Sequence, residues 1–169
     1  DDREITVVDL PGTYSLTAYS IEEIVARRFI VHEKPDVVVH VIDASNLERN
    51  LFLTTQLLQL GSKVVSALNM SDALHQSGAR VDLEKLGALL GAPAVFTVGH
   101  KGGGVRELLE TVVKVAEDEH PQVRKVRIPY GHEIESHLGP LTEKAEALEL
   151  FEIPHPPRWV AIKALEKDK

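Results

Sequence analysis

Apolar residues in this chain fall into two patterns, short continuous runs and stripes repeating every three to four positions, and the two alternate. Ile5–Val8 is a short apolar run and reads as a buried strand. After the polar loop Thr13–Ser20, which carries Tyr14 and Tyr19, Ser20 followed by Glu22 and Glu23 marks a helix start, with acids at the positive end of the helix dipole. That helix presents Ile24, Val25, Arg28 and Phe29 and stops near Glu33-Lys34-Pro35. Val37–Ile42 is almost wholly apolar, the mark of a strand covered on both faces, and it ends at Asp43. Leu47, Leu51, Leu53, Leu57, Leu58 and Leu60 give Asn46–Leu60 a helical spacing closed by Gly61. A strand over Val64–Leu68 follows, then a polar loop over Asp72–Gly78 and a helix from Val81 to Leu90-Gly91. Ala94–Thr97 reads as a short strand, Val98–Gly104 as a Gly-rich connection, and Val105–Val115 as a helix with Leu108, Leu109, Val112 and Val113 on one side.

Strand and helix in alternation with short connections predict an α/β fold built on a mostly parallel, doubly wound sheet, with about four strands and about four helices before residue 118. The character then changes. Glu117–Arg127 is charged, carries Pro121 and reads as a linker. Ile134, Leu138, Leu141, Ala145 and Leu148 form a helical stripe over Tyr130–Phe151, broken or kinked at Gly139-Pro140. Ile153-Pro-His-Pro-Pro157 is a breaker, and Arg158–Lys167 restarts a helix with Trp159, Ile162, Ala164 and Leu165. The expected organisation is therefore residues 1–118 as one domain and 119–169 as the start of a small α-helical domain that these residues do not finish. The opening Asp1-Asp2-Arg3-Glu4 leads straight into a strand, as if the domain were entered part-way.

Composition narrows the function classes. The formal charge of −7 with no basic patch argues against a nucleic-acid surface. The absence of cysteine rules out disulfides and thiolate metal sites. No apolar run approaches the 18 or so residues of a membrane span. His132 and His137 lie five positions apart, which a helix turns away from each other, whereas H-E-x-x-H needs four. His40 reads as a satisfied core histidine, and Glu143–Glu149 as a solvated helix face.

Candidate chemistry collects at three places. Asp9-Leu10-Pro11-Gly12 ends the first apolar run. An Asp there can hold the water shell of a Mg²⁺, and a Gly lets a backbone N–H approach a γ-phosphate, at the end of the strands where open α/β sheets bind ligands. Asn69-Met70-Ser71-Asp72 follows another apolar strand and fits N-x-x-D, in which a carboxylate accepts two hydrogen bonds from guanine N1–H and N2–H₂ that adenine cannot supply. The plain alternative, that these are turn residues, has even weight for the motif alone and little weight beside DLPG in a βα repeat. Thr97-Val98-Gly99-His100 would offer backbone N–H groups to the guanine O6, which any Gly-bearing loop can do. The neighbouring Gly99–Gly104 is not a phosphate cradle, because Val105 and Arg106 stand where G-x-x-x-x-G-K-[ST] needs Lys and Ser or Thr; a flexible connection is the simpler reading.

Val7-Val-Asp-Leu-Pro-Gly-Thr-Tyr-Ser-Leu16, Glu22–Arg27, Val41–Leu51, Ala67–Met70 and Pro157–Ile162 together resemble FeoB, the bacterial ferrous-iron transporter family, over essentially the whole chain. The resemblance implies a Ras-like P-loop GTPase domain, lacking its first strands here, followed by a small helical domain. Both would lie on the cytoplasmic face of the bacterial inner membrane, with the protein's own C-terminal transmembrane domain as partner and room for a homo-oligomer. It implies GTP/GDP and Mg²⁺ as ligands and slow GTP hydrolysis accompanying Fe²⁺ uptake. By position, Asp9, Leu10, Pro11 and Gly12 would face Mg²⁺ and the γ-phosphate, with Asp9 on the metal. Asn69, Met70 and Asp72 would read guanine, and Val98, Gly99 and His100 would cap the base.

Three departures qualify the carry-over. Met70 replaces the Lys usual in GTPases, although Met is normal in this family. Thr13 stands where small GTPases carry a water-orienting Gln, which argues against fast unaided hydrolysis. His100 occupies a position that is often small. No P-loop or Mg²⁺-binding switch Thr is found among these residues, so the strands at Ile5 and Val37 lack the common neighbour of a Ras-like sheet, and the expectation is a piece of a longer protein that alone binds nucleotide weakly or not at all. Two other readings compete, a regulatory module that binds GTP without turnover and an iron-binding protein using His and Glu residues. Neither has as much support in motif spacing.

Overall fold

A computed structural model describes residues 4–17, 19–76, 78–148 and 155–167. Three parallel strands form its sheet in the order β1 (Val38–Asp43), β2 (Val64–Asn69), β3 (Ala94–Phe96). The parallel α/β architecture expected from the alternation is present. The register pairs Asp43 with Asn69 and Leu68 with Phe96, so the carboxyl ends of all three strands come out along one edge.

Central β2 is buried at every position from Val64 to Leu68, which on a pleated strand requires cover on both faces. Helices α2 (Leu47–Gln59) and α5 (Val105–Ala116) both pack against it. α1 (Ile21–Glu33) adds Ala26 and Ile30 to a cluster with Leu53, Leu57 and Val64, and Leu16 from the preceding loop closes it. Burying a Leu of that size contributes about 2 kcal/mol, so Leu16, at 1% exposure, anchors its loop to the core. A second cluster joins Ala44, Leu68 and Leu74 to Leu86 and Phe96, and it sits behind the strand ends where the candidate site lies.

Three readings of the pattern are corrected. Ile5–Val8 forms no strand. No described strand offers it a ladder, its backbone therefore lacks the hydrogen bonds that define one, and Ile5, Val7 and Val8 are exposed. Strand β1 is covered on one face only: His40 and Ile42 are buried while Val39 and Val41 are 39% and 60% exposed, because no described element covers that face of this edge strand. The polar loop expected over Asp72–Gly78 instead begins with a short helix, α3 (Ser71–Gln76), held by buried Leu74 and by His75 lying edge-on to Phe96.

α4 (Leu83–Leu90) starts at Asp82, whose carboxylate accepts the Lys85 N–H at 3.0 Å, and ends at Gly91. Gly91 must be glycine: its φ is +67°, and a Cβ there would meet the Arg124 carbonyl oxygen at 2.7 Å. That close approach exists because the segment expected as a free linker is a strap along α4. The Arg124 N–H donates to the Gly91 carbonyl at 3.2 Å, the Gln122 amide to that of Glu84 at 3.3 Å, and the Arg124 guanidinium to that of Ala88. Beyond the strap, α6 (His132–Leu148) continues through Gly139-Pro140 as one helix rather than breaking there. It packs on α7 (Pro157–Glu166) through Leu138, Ala161 and Ile162, with Tyr130 and Leu141 alongside. The Glu135 carboxylate takes Arg158 at 2.6 and 3.0 Å, Arg127 at 2.8 Å and the Tyr130 N–H at 3.2 Å, which together hold it down to about 2. The expected helix end at Phe151 and the breaker at Ile153-Pro154 lie outside the described residues.

His40 supplies a test of the packing. It is 8% exposed and its Nδ1 lies 2.9 Å from Thr54 Oγ1 on α2. Burial disfavours its charged form and lowers its pKa from 6.5 to about 4. Folding therefore favours the neutral ring, so the stability it contributes is complete above 6.5 and is lost as the pH falls from there towards 4. Denaturant unfolding should show on the order of 2 kcal/mol lower stability at pH 5 than at pH 7.5 from this residue, and His40→Gln should flatten that part of the profile.

Candidate functional site

At the carboxyl edge of the sheet, β2 and β3 deliver two loops side by side, and hydrogen bonds stitch them together. Asn69, the last residue of β2, accepts the Gly99 N–H on Oδ1 at 2.9 Å and the Thr97 hydroxyl at 3.4 Å. Ser71 returns the link, its N–H and Oγ both donating to the Thr97 carbonyl at 3.3 and 3.1 Å. Between them Met70 takes a left-handed conformation at φ +58°, and its side chain is exposed. That turn lets the chain pass from strand to α3 within one residue and places Asp72 in the first helical turn. Asp72 Oδ1 accepts the Ala73 N–H at 3.1 Å, and Oδ2 lies 2.7 Å from Lys101 Nζ. The hydrogen bond from Lys101 is the main reason that its carboxyl sits below the ordinary range.

The Gly-rich stretch expected as a flexible connection is a closed loop. Val98 and Gly103 exchange backbone hydrogen bonds at 2.9 and 3.2 Å, and Gly99–Lys101 form a 3₁₀ turn between them. Gly104 permits the closure, since it sits at φ +75° and a Cβ there would fall 2.0 Å from the Phe96 carbonyl oxygen. The structure thus brings Asn69, Asp72, Val98, Gly99 and His100 to one place, with Gly99 and His100 exposed on the rim.

Asp9–Gly12 is in a different condition. It lies on no strand end, because Ile5–Val8 is not a strand. Asp9, Pro11 and Gly12 are exposed, while Leu10 is half-buried against the cluster of Leu16 and Ala26. The following loop is highly organised, and its organiser is Glu23, a residue the sequence reading took only as a helix-dipole acid. One Glu23 oxygen accepts the Ser15 hydroxyl; the other accepts the Thr17 hydroxyl at 3.1 Å and the Tyr19 and Ser20 N–H groups at 3.2 Å each. Ser20 Oγ in turn accepts the Glu23 N–H at 3.1 Å, completing a capping box. Burial pushes the Glu23 carboxyl up, but these hydrogen bonds outweigh it and leave it below the ordinary range. The spacing Ser20-x-x-Glu23 carries this signal in the sequence. From the other side Leu16 donates its N–H to Gln56 Oε1 at 2.7 Å and accepts from Arg27 at 3.4 Å, and the Arg49 guanidinium lies 3.9 Å over the Tyr14 ring.

Metal-binding capacity is limited. Among the described residues no group of three or more His, Asp or Glu side chains is placed to hold a metal ion. Asp9 is exposed and belongs to no such group.

A parallel α/β sheet with two stitched loops at its carboxyl edge and a hydroxyl-rich loop after D-L-P-G is the architecture of a Ras-like G domain. Comparison with solved structures supports that class. The cytosolic domain of T. maritima FeoB in its GDP form matches with a TM-score of 0.84 at 34% identity, covering 95% of this chain and 61% of that one. The FeoB G domain from Methanococcus jannaschii matches at 0.64 with 46% identity, over 66% of this chain and 71% of that one. The family model described as "Ferrous iron transport protein B" matches residues 1–112. The Fe(2+) transport protein A/Fe(2+) transporter FeoB fusion protein of Porphyromonas gingivalis is 44% identical over 99% of the chain, and the Fe(2+) transporter FeoB of Escherichia coli is 37% identical over the same share. The chain belongs to the FeoB family. It spans about a fifth of the length of these curated relatives (20% and 21%).

The loop closure yields a direct test. Gly104→Ala combines a positive φ with a backbone clash and should cost at least about 2 kcal/mol of unfolding free energy. Gly102→Ala has the same strained φ but no atom within 4 Å of the new Cβ, and should cost about 1 kcal/mol. Equal losses in denaturant titrations would mean that the loop is not closed against Phe96.

Proposed function

We propose that this chain is the guanine-nucleotide-binding part of a ferrous-iron transporter, in which GTP binding and slow hydrolysis accompany Fe²⁺ movement through a transmembrane domain outside these residues. The observation that carries this is the stitch between Asn69 and the Gly99 N–H. It fixes the N-x-x-D loop against the loop that would cap the base, so that Asp72, Asn69 and the Val98–His100 backbone can converge on one purine edge. The Asp72 carboxylate accepts the N1–H and N2–H₂ of guanine, adenine leaves it unpaired, and a site of that kind discriminates strongly. The neighbouring structures are described as GDP and GMPPNP forms of FeoB, which supports the same ligand class here.

At the phosphate end, Asp9 would hold Mg²⁺ through its waters, and Gly12 would present its N–H to the γ-phosphate. The ion supplies neutralisation of the phosphate charge. Leu10, packed against the Leu16 cluster, and Glu23, which gathers Ser15, Thr17, Tyr19 and Ser20, give the loop a defined resting state. A loop held by many weak polar bonds is suited to reorder when a γ-phosphate arrives. Thr13 supplies no amide to orient an attacking water, so turnover is slow. No G-x-x-x-x-G-K-[ST] segment occurs in this sequence, so these residues by themselves hold nucleotide weakly. The exposed Val39 and Val41 on β1 and the unladdered Ile5–Val8 are the surfaces that such a segment would cover. Residues 1–118 form the nucleotide domain and 119–169 the start of a helical domain at the cytoplasmic face of the membrane. Self-association of the assembled transporter is compatible with this arrangement.

The test is nucleotide preference in the longest natural polypeptide carrying this sequence. Wild type should prefer GDP to ADP by at least about 100-fold, and Asp72→Asn should exchange guanine for xanthine nucleotide, measured by competition with a fluorescent nucleotide. Equal affinity for GDP and ADP would reduce the reading to an α/β nucleotide binder of unassigned base.

A further inference from the structure

We propose that Lys101 is a built-in competitor for the base-reading carboxylate, so that guanine enters by displacing its ammonium from Asp72. The inference rests on the guanine reading of Asn69 and Asp72 and goes beyond it by assigning an affinity-setting role to a residue outside both motifs. In the structure both Asp72 oxygens are already engaged, Oδ1 by the Ala73 N–H at 3.1 Å and Oδ2 by Lys101 Nζ at 2.7 Å. A guanine edge presents two donors side by side and needs both oxygens of the carboxylate. The Ala73 contact is a backbone N–H donating to the neighbouring carboxylate and leaves a lone pair on Oδ1. The ammonium lies directly on Oδ2, in the position that a base donor has to take.

The loop geometry keeps Lys101 within reach of Asp72. The Val98–Gly103 backbone pair and the Gly99–Lys101 3₁₀ turn project Lys101 from a closed loop, and that loop is fixed to β2 through Asn69. The loop therefore keeps its shape whether or not Lys101 is paired, and the side chain is free to swing out on its four-carbon stem. The pair is partly open to water, the side chains being 61% exposed for Lys101 and 29% for Asp72. An ion pair of that exposure is weak and is screened by salt, so it lowers affinity by about two- to five-fold without closing the site.

The experiment uses the longest natural polypeptide carrying this sequence and measures affinity for GDP and for guanosine, which has no phosphate for the lysine to attract. Lys101→Met should bind both about two- to five-fold more tightly than wild type at low salt. The ratio of variant to wild type should fall towards one as KCl is raised, and Lys101→Arg should stay close to wild type. Unchanged or weaker binding by Lys101→Met, while Asp72→Asn still exchanges guanine for xanthine, would overturn the competition and leave the guanine site standing. If Asp72→Asn leaves base preference unaltered, the guanine reading fails and the role of Lys101 fails with it.

Discussion

Everything at the carboxyl edge of this sheet depends on one hydrogen bond and the register beneath it. Parallel pairing of β2 with β3 sets Leu68 against Phe96, and the ladder continues one step further through the Thr97 N–H on the Leu68 carbonyl at 2.9 Å. Only with that alignment does Asn69 Oδ1 reach the Gly99 N–H. A slip of one residue would turn Asn69 to the other face and separate the two loops entirely. The buried run Val64–Leu68 opposes that slip, because it would exchange the side chains between two differently packed faces. The polar site is thus positioned by an apolar constraint several residues away.

The other half of the candidate site is built on a different physical basis. Among the described residues between Thr13 and Ser20 the buried hydrophobe is Leu16, and hydroxyls and N–H groups gather on Glu23. Such bonds each contribute about 1 kcal/mol and exchange readily with water or a ligand. One face of the site is therefore rigid and the other adjustable. Arg27 links the adjustable face to the helices beyond, holding the Leu16 carbonyl while its guanidinium lies 6.0 Å from the Trp159 ring on α7.

Much of this was legible in the sequence, for identifiable reasons. Apart from α3, the strands and helices from Ile21 to Ala116 follow from periodicity and from end signals: Ser20 with the acids after it, Pro35 and Gly91. N-x-x-D and its neighbour loop lie side by side because both follow apolar strands in one repeat. Ile5–Val8 misled because a run of β-formers states a propensity, whereas a strand needs a partner, and none of the described strands provides one. Val39 and Val41 misled in the same way, since apolar composition says what a face tolerates rather than what covers it. The strap over α4 was hidden because its contacts run from the backbone and polar side chains of Gln122 and Arg124 to the helix carbonyls, which leave no hydrophobic period. Lys101 was invisible for a related reason: nothing in the spacing of residues 72 and 101 reveals that a closed loop brings them together.

The central claim is that the two stitched loops form a guanine-reading surface, and backbone amide NMR during a nucleoside titration tests it at the residues themselves, even where binding is weak. The account predicts that guanosine shifts the amides of residues 69–73 and 98–101 while adenosine at equal concentration leaves them in place. Equal responses to the two nucleosides, or shifts confined to other parts of the sheet, would contradict it.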